Sequence, residues 1–214
     1  MWRNSTRKRA GFKGLPASTF MHPFFSIITP SLQRQSLIDT CVSIDRQSCA
    51  EWEHIIMVDQ EEFDHVLLDL IAHPRRKIFK CSAPHRDGGN TCRHNAWPMA
   101  LGSWTYYVDD DNFISDERVF ADIYEVLSPL PETVKLALFP INRLGARFFS
   151  DPPKMCHTDT LNMVIRTEVS RWPMTTAYGS DGLKAEELMA QKVSYIGFPD
   201  FRPIAILPKI SFGK

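Results

Sequence analysis

Apolar and polar positions along this chain follow two rhythms that take turns. Short apolar runs at 24–28, 54–58, 77–81, 104–108 and 134–141 read as buried strands, the third being the weakest. Helical spacing fills the stretches between them. Leu37, Ile38, Cys41, Val42 and Ile44 recur on one helical face, and Phe63, Val66, Leu67, Leu70 and Ile71 follow i, i+3, i+4, i+7, i+8. Val119, Phe120, Ile123, Val126 and Leu127 form a third apolar face, with Ser115 as the expected N-cap and Asp116 and Glu117 in the first turn. Thr29-Pro30 is expected to stop the first strand. Residues 84–90 read as a polar turn holding Gly88-Gly89, opening a helix near Thr91 that Pro98 kinks or ends. Past residue 142 the rhythm loosens. The segment 142–160 reads as a loop, 161–166 as a further strand, 180–191 as a helix and 193–197 as a short strand.

Strands separated by helix-length segments imply right-handed crossovers, hence a Rossmann-like α/β fold with a mostly parallel sheet flanked by helices. Ligands of such sheets sit beyond the carboxyl ends of the strands. Three polar clusters fall there: Thr29-Pro30-Ser31, Asp59-Gln60, and the run from Asp109 to Asn112.

Composition narrows the options. Twenty-five Lys and Arg balance twenty-five Asp and Glu among 214 residues, which leaves no electrostatic footprint for nucleic acid or an anionic membrane. At 43% hydrophobic and 23% charged, the chain can bury an ordinary core. No apolar run approaches the roughly 18 residues of a membrane span. Residues 1–20 carry Arg3, Arg7, Lys8, Arg9 and Lys13 without a following apolar signal core, and read as a flexible, dispensable basic tail. The expected location is the cytoplasm, with peripheral membrane attachment left open. The five cysteines (Cys41, Cys49, Cys81, Cys92, Cys156) are scattered and lack C-x-x-C spacing. They read as packed, reduced thiols rather than a disulfide frame or a zinc site.

The candidate chemistry centres on Asp109-Asp110-Asp111, directly after the apolar run Trp-Thr-Tyr-Tyr-Val. Adjacent carboxylates at the end of a buried strand repel one another and lose hydration. Mg²⁺ or Mn²⁺ compensates, taking oxygen ligands and bridging carboxylates to a diphosphate. In an extended chain Asp109 and Asp111 point one way and Asp110 the other, so one acid can hold metal while a neighbour binds a ribose hydroxyl. An acidic triplet alone is more often a solvated turn; the strand before it favours metal. Asp59 ends the second strand, where it either accepts a pyrimidine N–H or merely terminates the ladder. Arg93, after the glycine pair, suits a diphosphate or a plain helix surface. Asp181 starts a helix whose dipole favours the ionised form a general base needs, although a first-turn acid often serves only the helix. Glu186 and Glu187 read as its solvated face. His85, His94 and His157 are lone histidines without an assigned role.

Together these pieces resemble the glycosyltransferase family 2 domain. FFSIITPSLQRQSLIDTCVSI is similar to its first strand, Thr-Pro turn and helix, and WEHIIMVDQ to its second strand ending in Asp. NTCRHNAWPMALGSWTYYVDDDNFISDERV resembles its Arg-x-Asn helix and D-x-D strand end, and YGSDGLKAEELMAQKVSYIGF the segment with its catalytic acid. The resemblance spans about residues 23–198. It implies a GT-A fold over 21–214, with 21–141 the nucleotide-binding half and 142–214 the acceptor-side half. It implies that Thr29, Pro30 and Asp59 contact the base, that Arg93 holds the nucleotide, that Asp110 meets the ribose, and that Asp111, supported by Asp109, binds Mn²⁺ or Mg²⁺. Asp181 would be the base of an inverting hexosyl transfer from a nucleotide-sugar, with a UDP-sugar favoured, to a hydroxyl on a glycan, lipid-linked or other acceptor. Gln60 stands where the family usually has Asp. Glu168-x-x-Arg171-Trp172 replaces the Gln-x-x-Arg-Trp of processive members and precedes Asp181, which argues against a polysaccharide synthase. Two alternatives stand beside this: a nucleotidyltransferase of related fold, lacking here the usual glycine-rich basic loop, and a non-catalytic nucleotide-sugar-binding domain.

Overall fold

A computed structural model describes residues 22–154, 157–176 and 179–207. The basic segment 1–20 and Cys156 lie outside the described residues.

The chain opens with β1 (Phe25–Ser31), α1 (Leu37–Asp45), β2 (Trp52–Val58), α2 (His65–Leu70) and β3 (Arg76–Lys80). Next come α3 (Asn90–Ala96), β4 (Trp104–Tyr107), β5 (Phe113–Ile114), α4 (Val119–Leu127) and β6 (Val134–Leu138). The remainder holds β7 (Ile141–Arg143), β8 (Ala146–Phe148), β9 (Met163–Arg166), α5 (Ser180–Ala190), β10 (Ser194–Gly197) and β11 (Ala205–Leu207). The main seven-stranded sheet runs β10-β6-β9-β4-β1-β2-β3, and a smaller sheet runs β5-β11-β7-β8. Every pairing in the main sheet is parallel except those of β9, which lies antiparallel between β4 and β6.

Every residue of β1 and β2 is buried, as expected of strands covered on both faces. Phe25, Ile27, Trp104 and Tyr106 pack with Phe120, Ile123 and Leu127 of α4. Ile28, Ile55, Tyr107 and Ile165 pack with Ala96 of α3, Ala185 and Leu188 of α5, and Trp172. This stacking brings the carboxyl ends of β4, β1 and β2 side by side, and the three polar clusters with them.

Several local expectations are corrected. Pro30 does not stop β1, which continues to Ser31 in register with Val58. Ser31 O accepts from Asp59 N on the β2 side, and Ile28 O accepts from Val108 N on the β4 side. Alternation therefore turns Pro30 towards β4, whose pairing with β1 ends at Ile28, so its missing N–H interrupts no ladder. The run 134–141 splits at Pro140, and Ile141 starts β7 in the second sheet. The stretch 142–160 carries β7 and β8 rather than loop alone. Ser115 caps no helix: its hydroxyl donates to Pro203 O, and α4 starts later with Arg118 at the N-cap. Pro98 behaves as expected, α3 ending at Ala96 and a 3₁₀ turn holding Trp97–Met99. In α2 only one side of the apolar face is used, with Leu67 buried while Val66 and Leu70 are exposed.

Candidate active site

A cavity of about 830 Å³ opens at the carboxyl ends of β1, β2 and β4. Pro30, Asp59, Arg93, Asp109, Asp110, Asp111 and Asp181 all line it, so the fold gathers residues from five separated stretches of sequence. Thr29 does not line it. Its hydroxyl meets Nε2 of buried His54 at 2.9 Å, while Arg76 Nε donates to His54 Nδ1. That geometry makes Nδ1 the acceptor and Nε2 the donor. Burial, and then the neighbouring Arg76 charge, push the His54 pKa well below its ordinary value, which keeps the ring neutral.

The acidic run is not extended. Asn112 N donates to Asp109 O, closing a turn across the aspartates, and the turn rather than strand alternation sets where each carboxylate goes. Asp110 is buried and ties β4 back to β1: Oδ2 accepts from Ser31 Oγ at 2.9 Å and Leu32 N at 2.8 Å, and Oδ1 from Arg34 at 3.2 Å. Burial raises its pKa against those donors. Asp111 is 34% exposed and pairs with Arg34 at 2.9 Å. Its pKa is raised by burial and then by the Asp109 charge, with Arg34 opposing. Asp109, 37% exposed, pairs with Arg93.

Arg93 is almost fully buried. One guanidinium nitrogen donates to Gly88 O at 2.9 Å, and the group lies 5.1 Å over the Trp172 ring. Trp172 Nε1 donates to Asn90 Oδ1, tying the same wall together. The guanidinium is thereby held against the acidic run, a fixed cation beside fixed anions. With seven residues, α3 is too short for its dipole to be the main attraction here; the Arg93 charge is. Asp181 stands in the first turn of α5 after Gly179, which has φ +87°, and its Oδ1 accepts from Gly182 N at 2.9 Å.

Asp59 is buried and accepts from His85 N at 2.8 Å and Arg86 N at 3.0 Å, so it shapes the loop beneath the cavity. His94 is structural, contacting Trp172 O at 2.7 Å. His157 is exposed and does not line the cavity. Glu186 is exposed, and Glu187 pairs with Lys184. Sequence reading missed Arg34 and Arg143, both of which line the cavity. Nothing local distinguishes them from surface arginines. Asp159 was missed too; half-buried, it caps the turn Thr160–Asn162 by accepting from Leu161 N, and its pKa is raised by desolvation, with the Asp109 and Asp181 charges adding to the rise.

The donors facing the cavity near residue 111 are carboxylate oxygens, the hard ligands Mg²⁺ and Mn²⁺ take. A cation there would relieve the crowding of Asp109 and Asp111. The residues therefore fit such an ion.

No family model matches the sequence, and no curated protein matches it. Solved structures do match in three dimensions. TarS residues 1–349 from S. aureus, in complex with UDP-GlcNAc, superposes with a TM-score of 0.68 at 14% identity, over 89% of this chain and 59% of that one. A longer TarS structure matches with a TM-score of 0.65 at 15% identity, over 86% of this chain. The mannosyltransferase PcManGT from Pyrobaculum calidifontis, in complex with GDP-Man and Mn²⁺, matches with a TM-score of 0.64 at 15% identity, over 90% of this chain and 59% of that one. The chain spans 36% of the longer TarS chain. The fold is of the GT-A type these glycosyltransferases share.

Proposed function

We propose that the chain transfers a sugar from a nucleotide-sugar to an acceptor hydroxyl. The observation that carries this reading is the convergence of Asp109, Asp111, Arg93 and Asp181 on one cavity at the switch-point end of a GT-A sheet. The structural neighbours solved with UDP-GlcNAc and with GDP-Man and Mn²⁺ support it.

In this reading Asp59 and the backbone around Pro30 receive the base, with a UDP-sugar the favoured donor. The Thr29 hydroxyl is committed to His54 and the residue does not line the cavity, so Thr29 is assigned no contact with the base. Asp110 meets the ribose from a position fixed by Ser31 and Leu32. Arg93 orients the diphosphate as a charge already held in place, which lowers the cost of ordering it at the moment of transfer. Asp111, with Asp109, would hold Mn²⁺ or Mg²⁺, an ion that when bound offsets the charge of a departing diphosphate. Asp181 takes the proton of the acceptor hydroxyl at its carboxylate, and the freed oxygen attacks the anomeric carbon from the face opposite the nucleotide. Configuration inverts, and a nucleoside diphosphate leaves. The region 142–207 supplies the acceptor side, where Arg143, Thr158 and Thr160 reach the cavity.

The test is product identity. Incubation with UDP- and GDP-sugars, Mn²⁺ and a panel of hydroxyl acceptors is expected to release nucleoside diphosphate in step with glycosylated acceptor. Release of pyrophosphate would instead identify a nucleotidyltransferase.

A further inference from the structure

Below the cavity floor lies a second cluster with different chemistry. The Cys81 and Cys92 thiols meet at 3.2 Å, buried, one just after β3 and the other in α3. A carboxylate oxygen of Asp59 and both sulfurs lie within 4.8 Å of one another. His85 stands beside this group rather than within it: its Nδ1 is 3.3 Å from Asp59 Oδ1, and its partly exposed ring can swing towards the sulfurs as a fourth donor. Among the described residues, Asp59, Cys81 and Cys92 are the group of three or more His, Cys, Asp or Glu donors that comes this close together. The linear spacing hides it, because the two cysteines are eleven residues apart and meet only when α3 folds back beside β3.

We propose that Asp59, Cys81, His85 and Cys92 form a site for a soft divalent cation, zinc being the biological candidate. Two thiolates, one imidazole and one carboxylate are a recognised tetrahedral donor mix for this ion. Zinc–nitrogen and zinc–oxygen bonds of about 2.0 Å put tetrahedral neighbours about 3.3 Å apart, the separation His85 and Asp59 already have. Two sulfurs at about 2.3 Å from zinc stand roughly 3.8 Å apart, so the cysteines need to part by only about half an ångström. Both Asp59 oxygens accept backbone N–H bonds, yet each has a second lone pair. One can bind the cation while the other stays turned to the cavity. Binding replaces two thiol protons, which pass to solvent, and no electrons move. The cation would clamp β3 to α3 across the loop carrying Arg86, Asp87, Gly88 and Gly89, all of which line the cavity above.

The experiment uses the whole chain, reduced with a phosphine, stripped of metal and titrated with Co²⁺. One equivalent is expected to give thiolate-to-cobalt charge-transfer absorption and the strong visible bands of tetrahedral Co²⁺, both bleached by one equivalent of Zn²⁺. Cys92→Ser should lose most of the charge-transfer intensity. His85→Ala, at a partly exposed position, should weaken cobalt binding by about tenfold or more with circular dichroism unchanged. Asp111→Ala should leave the cobalt spectrum untouched, separating this site from the cavity above it. Folded wild-type protein without charge-transfer absorption, or with spectra unaltered by both Cys92→Ser and His85→Ala, would overturn the proposal. So would a two-hydrogen mass loss in air with no cobalt bound, which makes the pair a disulfide former.

Discussion

Gly89 lies so close to Pro30 that a β-carbon added to the glycine would stand 2.6 Å from Pro30 Cβ. The end of β1 and the start of α3 thus meet with only the Pro30 ring between the two backbones, and both line the cavity. Gly89 also has φ +81°, a conformation that costs other residues about 1–2 kcal/mol. Gly88 has φ +69° but open space around it. Gly89→Ala is therefore expected to lose more stability than Gly88→Ala and to weaken nucleotide binding as well, because Arg93 moves with α3. Urea unfolding and nucleotide titration of both variants check the order; equal losses would break the link between this contact and the site.

Asp181→Asn keeps the shape of the α5 first turn but removes the group that takes the proton. Donor binding should be unchanged, while kcat falls by about 10²–10⁴-fold. Calorimetric titration with the donor and steady-state kinetics separate the two effects. A variant that turns over normally would remove Asp181 from the chemistry.

The neighbouring aspartates should respond differently. Asp110→Asn leaves Ser31, Leu32 and Arg34 facing an amide instead of a carboxylate, at a cost of about 1–3 kcal/mol in stability. Asp111→Asn, at a partly exposed position, should stay within about 0.5 kcal/mol of wild type, yet lose the metal-dependent part of nucleotide affinity. Denaturant unfolding paired with nucleotide titrations with and without Mn²⁺ reads both. A reversal of the pattern would exchange their roles.

His54 predicts a pH dependence of stability. Its folded-state pKa is pushed well below the ordinary 6.5 by burial and by Arg76, so below that pH the unfolded chain binds a proton that the folded one refuses. The stabilisation is complete above pH 6.5 and is lost as pH falls beneath it, by about 1.4 kcal/mol per pH unit for one proton. Denaturant midpoints on either side of pH 6.5 measure it; a flat profile across this window would mean the ring is protonated in the fold.

The strand ends were legible because long apolar runs stop at polar residues, and that alone placed Pro30, Asp59 and Asp109 near one another. The small second sheet was not. Its strands β5 and β11 have two and three residues, too short for periodicity to show. Thr29 read as a cavity residue because its partner His54 is remote in sequence and only pairing of β1 with β2 puts the His54 ring against the Thr29 hydroxyl. Arg34 was hidden for the same reason: its partners lie more than seventy residues away. The Cys81–Cys92 pair was set aside on spacing, which carries no information about a helix folding back on a strand.

The arrangement of Asp109, Asp111 and Arg93 is best interrogated by anomalous scattering from crystals grown with UDP and Mn²⁺. The expected map shows a manganese peak between the Asp111 carboxylate and the diphosphate, with the base near Asp59. A well-ordered nucleotide in the cavity and no manganese within reach of Asp111 would contradict the metal assignment, and a cavity empty of nucleotide at saturating concentration would contradict the proposed function itself.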